Sequence, residues 1–239
     1  MPLRLDESVR TILLDIEGTT TPIAFVHDTL FPYARARVRS FLERHAGDPD
    51  VRADLALLSD EYAAESRHEP GLPPWEPVAY VHWLMDRDRK STGLKSLQGK
   101  IWEEGYRAGE LRGRGAVYPD VAPALARWRQ QGKDIAIFSS GSIQAQRNLF
   151  ANTTAGDLSP FLSAYFDTTT GPKREPRSYA RIATALERRP AEVLFLSDVG
   201  AELDAARQAG MRTGLCVRAP AATPPSSAHA VIRTFDEVA

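Results

Sequence analysis

Four short apolar runs constrain the fold of this chain more than any other feature of its sequence. They occupy residues 11–14, 135–138, 193–196 and 213–217. Each run has the length of a strand and is rich in the aliphatic residues that fill a sheet buried on both faces. The runs therefore predict a parallel β-sheet at the centre of the protein.

Amphipathic stretches with helical spacing lie between the last three runs. They cover residues 142–152, 178–188 and 201–209. Ser142 is a suitable N-cap for the first stretch, and Gly210 is a normal stop signal after the third. Strands that alternate with helices in this way predict a doubly wound, Rossmann-like α/β core with right-handed crossovers. Residues 230–232 are expected to add a short edge strand.

The long segment between the first two runs differs, because it shows helical patterns and no convincing strand. Helical spacing is carried by Leu55, Leu58 and Tyr62 and by Leu94, Leu97 and Ile101. The Pro- and Gly-rich residues 69–75 must interrupt the helices around them. We therefore expect an α/β core formed by residues 1–22 and 118–239, with an all-helical cap, residues 23–117, inserted after the first strand. The alternative is a separate globular domain with a function of its own.

Charge and cysteine content narrow the class of protein further. The chain has 30 basic and 31 acidic residues and a net charge of -1, so its composition does not favour binding to nucleic acid or to an anionic membrane. The single cysteine, Cys216, excludes an internal disulfide and fits a reducing compartment. No run approaches the ~20 apolar residues of a membrane span, and the N-terminal residues do not match a signal peptide. We expect a cytoplasmic protein.

Polar residues stand directly after three of the apolar runs. The first run is followed by Asp15, the second by Ser139, Ser140 and Gly141, and the third by Ser197 and Asp198. In an open parallel sheet, ligands bind at the carboxyl ends of the strands, where the strand order reverses. An Asp after a strand is more commonly a turn or cap residue. Three such groups at one edge nevertheless favour a binding or catalytic site.

Two carboxylates brought together at a sheet edge repel one another, and a hard divalent cation relieves that repulsion. Mg²⁺ takes one or two protein carboxylates together with water and a phosphate oxygen, which suits Asp15 and Asp198. The hydroxyls of Ser139 and Ser140, at the start of a predicted helix, suit a phosphate group. Lys173, on a predicted loop, supplies a compensating cation, although such a lysine is more commonly a solvated surface residue.

A carboxylate that attacks phosphorus forms an aspartyl phosphate and divides one difficult hydrolysis into two easier steps. Asp15 is the predicted nucleophile, and a metal ion and Lys173 offset the charge of the transferred phosphoryl group. Glu17 is placed to protonate the leaving oxygen and then to deprotonate water. Because its side chain is one methylene longer than that of Asp, the sequence leaves open whether it reaches the leaving group.

The first motif, residues 15–20, is similar to the Asp-x-Asp motif of the haloacid dehalogenase superfamily, with Glu17 in place of the second Asp. A hydroxyl residue, a lysine and an acidic pair follow in the order typical of that superfamily. A closer resemblance, to the enolase-phosphatase family of methionine salvage, is carried by residues 15–23, 139–142, 171–175 and 195–198. It covers nearly the whole chain and is weakest between residues 44 and 77 and after residue 220.

The resemblance implies a reaction and a cofactor. It implies a monomeric phosphatase that uses Mg²⁺ and that enolises and then dephosphorylates a small phosphorylated molecule, 2,3-diketo-5-methylthiopentyl 1-phosphate. Asp15 is the implied nucleophile. The implied metal ligands are Asp15, Asp198 and the backbone carbonyl of Glu17.

The resemblance also assigns the remaining site residues. Ser139 and Ser140 are the implied phosphate-binding residues, Lys173 neutralises the phosphate, and Glu202 matches the second acidic position of the superfamily. The base that removes a carbon-bound proton during enolisation is not identified. Two alternatives stay open: a phosphatase of the same superfamily that acts on another small phosphoester, and a phospho-accepting receiver domain. Receiver domains share the strand-end Asp and the Lys, but they are shorter and lack a helical insertion.

Overall fold

The computed structural model describes residues 3, 5, 7–89, 91–219 and 228–238. The chain divides into two compact units. One unit is formed by Met1–Ile23 together with Arg112–Ala239, and the other is Ala24–Leu111. The second unit is thus an insertion into the first, and it follows the first strand.

The unit boundaries differ from the expected ones at both ends of the insertion. The structure groups Ile23 and residues 112–117 with the first unit, whereas the sequence pattern had placed them in the inserted segment. Backbone hydrogen bonds account for part of the difference. The N–H of Gly115 donates to the carbonyl of Asn152 at 3.1 Å, and the N–H of Thr154 donates to the carbonyl of Gly115 at 2.9 Å.

The first unit is built on a six-stranded sheet with the order β3-β2-β1-β4-β5-β6. The strands are β1 (Thr11–Leu14), β2 (Asp134–Phe138), β3 (Ala164–Phe166), β4 (Val193–Ser197), β5 (Arg212–Cys216) and β6 (Ala230–Ile232). All neighbouring strands run parallel, which confirms the predicted sheet, and β6 is the expected edge strand. β3 was not predicted, because it is only three residues long and none of the three is fully buried.

The regular elements among the described residues of the inserted unit are all helices. A short turn, α1 (Ile23–Phe25), and a π-helical stretch (Val26–Leu30) lead into α2 (Phe31–Arg44), α3 (Pro49–Glu65), α4 (Pro77–Asp86) and α5 (Thr92–Arg107). The Pro- and Gly-rich residues 69–75, which were predicted to interrupt the helices, lie between α3 and α4. Leu58 and Leu97, from the two predicted helical patterns, are buried in the core of this unit together with Tyr80 and Trp83. Packing against a shared apolar core therefore stabilises these helices more than their own hydrogen bonds do.

The crossover helices of the first unit are α6 (Val121–Gln130), α7 (Ile143–Ala151), α8 (Pro176–Ala185) and α9 (Gly200–Gln208). Ser142 caps α7 as predicted, because its hydroxyl accepts from the N–H of Ala145. α8 begins two residues before the predicted start, at Pro176, which fits the first turn of a helix.

None of the helices among the described residues is both long enough and apolar enough to cross a bilayer.

The strand order reverses at β1, which pairs with β2 on one side and with β4 on the other. In the β1–β4 register Leu14 lies opposite Leu196, so the residues that follow, Asp15 and Ser197, leave the sheet side by side. The N–H of Asp15 extends the ladder by donating to the carbonyl of Leu196 at 3.0 Å. This is the switch point at which open α/β sheets bind ligands. The fold therefore brings Asp15, Ser197 and Asp198 to one crevice.

Candidate active site

Asp15 is held by donors at both of its carboxylate oxygens. Its Oδ1 accepts from the ammonium of Lys173 at 2.7 Å and from the N–H of Ile16 at 2.8 Å. Its Oδ2 accepts from the hydroxyl of Ser197 at 2.9 Å. Asp15 is only 3% exposed, so these contacts form away from bulk water. A buried carboxylate with this many donors has a fixed orientation.

Lys173 lies between two carboxylates and is not a solvated surface residue. Its Nζ is 2.7 Å from Asp15 Oδ1 and 2.7 Å from Glu202 Oε2, and its side chain is 11% exposed. Burial alone would lower the pKa of the ammonium, but the charges of Asp15 and Glu202 outweigh that effect and raise the pKa. Lys173 is therefore a permanent cation at the site.

The loop that carries Lys173 is fixed by the helix that follows it. The hydroxyl of Ser178 donates to the carbonyl of Pro172, and that of Tyr179 donates to the carbonyl of Lys173, both at 2.7 Å. Gly171 has a φ of 146°, and a Cβ there would lie 2.4 Å from the Ser178 hydroxyl oxygen. The glycine before the lysine thus allows the close approach that orients this loop.

Glu202 stands in the first turn of α9 and contacts the same group of residues. Besides its ion pair with Lys173, its Oε2 lies 3.4 Å from the hydroxyl oxygen of Ser197. Burial, followed by the charge of Asp15, raises the pKa of Glu202. Glu202 therefore forms a second ion pair with the ammonium that binds Asp15.

Asp198, the residue after Ser197, packs against the turn that follows β1. Its N–H donates to the hydroxyl of Thr19 at 3.0 Å. A Cβ built on Gly18 would lie 2.1 Å from Asp198 Oδ2, so only glycine leaves room for this carboxylate. Burial, and next the charge of Asp15, raise the pKa of Asp198 to about 6. The two aspartates therefore repel each other, as expected from the sequence for a pair at this edge.

The turn after Asp15 is tightly bonded. The carbonyl of Ile16 accepts from the N–H groups of residues 19, 20 and 21, and the N–H of Gly18 donates to the carbonyl of Thr21. The hydroxyl of Thr20 donates to the carbonyl of Asp15 at 3.2 Å. Glu17 lies within this turn and is half-buried. The conformation of the turn thus fixes Glu17 and Gly18 relative to Asp15.

The predicted phosphate-binding hydroxyls follow β2, the other neighbour of β1. Ser139 is buried, and its hydroxyl accepts from the N–H of Gly141 at 3.2 Å. Ser140 is exposed. Both residues precede α7, whose N-terminus carries partial positive charge. The strand order places them beside Asp15, on the side away from Asp198.

The donor set fits a magnesium ion better than a metal held only by protein side chains. Among the described residues, no group of three or more His, Cys, Asp or Glu side chains is arranged to hold a metal. Mg²⁺ requires only one or two carboxylates, because water and substrate oxygens complete its octahedron. The Asp15–Asp198 pair, with its mutual repulsion, meets that requirement.

The crevice at the switch point contains a buried carboxylate, a lysine paired with it and a second aspartate. On a doubly wound fold, this arrangement is that of a phosphoryl-transfer hydrolase. A family model for haloacid dehalogenase-like hydrolases matches residues 9–210. The enolase-phosphatase E1 of Synechococcus elongatus is 55% identical over 100% of both chains. That of Sorangium cellulosum is 50% identical, over 96% of this chain and 97% of its own. The chain therefore belongs to the haloacid dehalogenase-like hydrolases and, among them, to the enolase-phosphatase family.

A solved structure agrees with this assignment. The crystal structure of the UTR4 protein of Saccharomyces cerevisiae is 35% identical in sequence, with a TM-score of 0.75. The match covers 95% of this chain and 99% of that chain. The family model and the enolase-phosphatase relatives show that the chain is an enzyme of the phosphatase class, which excludes the receiver-domain alternative.

Sequence reasoning missed two residues that the structure brings to the site. Ser197 was noted only as the neighbour of Asp198, although it donates to Asp15. Its position as a hydroxyl at the end of an apolar run was the available signal. Thr19 was recognised only as part of the first motif, and nothing in the sequence indicates that its hydroxyl bonds the N–H of Asp198.

Proposed function

We propose that this enzyme converts 2,3-diketo-5-methylthiopentyl 1-phosphate to the acireductone of methionine salvage, by enolisation followed by dephosphorylation. Support comes from the enolase-phosphatase relatives, which match this chain along its whole length. The observation that carries the phosphatase half is the Asp15 carboxylate, oriented by Ser197 and paired with Lys173 at 2.7 Å.

In the proposed mechanism an oxygen of Asp15 attacks the phosphorus atom, and the bond between phosphorus and the substrate oxygen breaks. The leaving oxygen takes up a proton and departs, while Asp15 carries the phosphoryl group. Water then attacks the phosphorus, loses a proton, and releases inorganic phosphate with the original carboxylate. Because Asp15 is already fixed at both oxygens, little reorganisation precedes the attack.

Lys173 is the protein side chain that offsets charge on the transferred phosphoryl group. Its ammonium is buried and lies 2.7 Å from Asp15, so it faces the position at which the acyl phosphate forms. Glu202 helps to hold the ammonium in place through its own ion pair, at 2.7 Å. In this proposal Ser139 and Ser140 donate to the phosphate oxygens from the end of β2 and the start of α7.

Mg²⁺ is the proposed cofactor, held by Asp15, Asp198 and the backbone carbonyl of Glu17. When bound, it supplies positive charge that offsets the negative oxygens of the phosphate and relieves the repulsion between the two aspartates. Burial, and after it the charge of Asp15, raise the pKa of Asp198 to about 6, so that repulsion contributes to the shift. The side chain of Glu17 is the proposed acid that protonates the leaving oxygen and the base that then activates water.

The proposal includes a monomeric, cytoplasmic enzyme. The single cysteine, Cys216, is free and buried, which suits a reducing compartment. Sedimentation equilibrium of the purified protein tests the monomer, with a mass close to 26.4 kDa expected.

The substrate is tested by comparing turnover of purified protein on the diketo phosphate and on a panel of sugar phosphates. We expect kcat/KM to be highest for the diketo phosphate. A sugar phosphate turned over more efficiently would instead support a haloacid dehalogenase-type phosphatase acting on another small phosphoester. Proton exchange in a non-hydrolysable diketo phosphonate then measures enolisation separately from phosphoryl transfer.

A further inference from the structure

Arg218, two residues beyond β5, is a buried cation with no part in the proposed phosphoryl transfer. It is 7% exposed, and its guanidinium lies over the rings of Tyr118 and Phe235, 4.4 and 4.5 Å from their centroids. Its Nη1 forms an ion pair at 2.7 Å with Asp120, whose side chain is 9% exposed. Such a pair is costly to desolvate, and apolar residues of similar volume stabilise a fold at least as well. Stability alone therefore does not explain it.

The donors of Arg218 converge on the turn that follows the predicted nucleophile. Nε and Nη2 both donate to the carbonyl of Thr19, at 2.9 and 2.8 Å. Nη1 donates to Asp120 and also to the carbonyl of Arg233, at 3.1 Å. Because the guanidinium is planar and rigid, these bonds fix the Thr19 carbonyl relative to the start of α6 and the residues after β6.

Thr19 connects Arg218 to Asp198 through hydrogen bonds to both residues. Its hydroxyl accepts the N–H of Asp198 at 3.0 Å, while its carbonyl is held by Arg218. The preceding residue, Gly18, is packed so closely against the Asp198 carboxylate that a Cβ would lie 2.1 Å from Oδ2. A small displacement of this turn must therefore move the Asp198 carboxylate relative to Asp15.

We propose that Arg218 is a positioning residue for the metal-binding half of the site, acting through Thr19 on Asp198. This inference rests on the proposed function, since it assumes that Asp15 and Asp198 share a magnesium ion. Residues that orient metal ligands typically change metal affinity by about 10- to 100-fold when they are mutated. Loss of the Arg218–Thr19–Asp198 link is expected to weaken Mg²⁺ binding by that factor.

The link between Thr19 and Asp198 is tested by a matched pair of substitutions in one turn. Thr19→Val removes the hydroxyl that holds Asp198. Thr21→Val makes the same change at a fully buried hydroxyl that has no hydrogen-bond partner among the described residues. Thr19→Ser keeps the hydroxyl and serves as the rescue. The unfolding temperature of each substrate-free protein, followed as MgCl2 is added, gives the midpoint for Mg²⁺ binding without any reference to turnover.

We expect the MgCl2 midpoint to rise by about 10- to 100-fold in Thr19→Val, and to stay near the wild-type value in Thr21→Val and Thr19→Ser. In turnover assays, the MgCl2 concentration for half-maximal rate should rise much more than the rate at saturating MgCl2 falls. Equal midpoints in the two valine variants would overturn the link through Thr19.

The role of Arg218 is tested by Arg218→Lys, which keeps a cation but loses the rigid pair of bonds to the Thr19 carbonyl. Arg218→Met combined with Asp120→Asn removes both buried charges together and guards against misfolding from an unpaired carboxylate. Both proteins should show the raised MgCl2 midpoint. A wild-type midpoint in a folded variant would overturn the inference, whereas a wild-type enzyme without any Mg²⁺ dependence would contradict the proposed function itself.

Discussion

The hydroxyl of Ser197 donates to Oδ2 of Asp15 across 2.9 Å, from the strand next to β1. Ser197 is fully buried, and its oxygen also accepts the N–H of Val199 at 3.1 Å, which orients the hydroxyl. Lys173 binds the other carboxylate oxygen of Asp15. The proposed nucleophile is therefore fixed in rotation by contacts at both of its oxygens.

Ser197→Ala removes one of these two constraints and leaves the charge of the site unchanged. A hydrogen bond to a charged group contributes about 1.5–3 kcal/mol, so we expect kcat to fall by roughly 10- to 150-fold. KM should change little, because Ser197 contacts the nucleophile rather than the proposed phosphate site. Steady-state kinetics measure the changes in kcat and KM separately. An unchanged kcat would show that the reactivity of Asp15 does not depend on this hydroxyl.

Gly18→Ala should abolish turnover by displacing Asp198. The new Cβ would lie 2.1 Å from Asp198 Oδ2, and the position has a φ of 69°. Gly132→Ala is the matched control, because Gly132 has a φ of 72° but its new Cβ would meet no atom within 4 Å. Both substitutions cost about 1–2 kcal/mol of backbone strain. Urea unfolding should show that shared cost, and only Gly18→Ala should lose activity; equal activities would contradict the packing of Asp198 on Gly18.

Chelation tests the proposed cofactor. We expect EDTA to remove activity and excess MgCl2 to restore it. CaCl2 should restore it poorly, because Ca²⁺–oxygen bonds of about 2.3–2.6 Å exceed the ~2.1 Å of Mg²⁺ and would shift the phosphate relative to Asp15. Full activity in EDTA, measured as phosphate release, would rule out a metal role for Asp198.

Thr11→Val should stabilise the protein. Thr11 is fully buried in β1, and its hydroxyl has no hydrogen-bond partner among the described residues. Replacing an unpartnered buried hydroxyl with a methyl group of the same shape should raise the free energy of unfolding by about 1 kcal/mol. Thr20→Val is the opposite case, because the Thr20 hydroxyl donates to the carbonyl of Asp15. Urea denaturation of both variants should give shifts of opposite sign; a destabilised Thr11→Val would contradict the prediction.

The sheet was predictable because its central strands are buried on both faces, which leaves a continuous apolar run in the sequence. The same runs showed where the strands end, and so placed Asp15 and Asp198 at one edge. β3 carries only Ala164–Phe166, all half-buried, and such a segment has no distinct pattern. Sequence patterns therefore detect the centre of a parallel sheet better than its edge.

The supporting residues of the site could not be predicted in the same way. Arg218 bonds the carbonyl of Thr19 from 199 residues further along the chain. In the sequence, a buried arginine looks the same as a solvated one, because burial depends on partners that only the fold brings together. The burial of Lys173 could not be predicted either. Only the structure distinguishes a lysine that contacts two carboxylates from one on the surface.

The central claim is that Asp15 attacks phosphorus, and Asp15→Asn tests it most directly. Phosphate release from the diketo phosphate should be abolished, while urea unfolding should show a folded protein, since an amide oxygen can still accept from Ser197. Ser140→Ala, at an exposed position near the same edge, serves as a comparison and should retain much more activity. Undiminished phosphate release from a folded Asp15→Asn protein would contradict the mechanism.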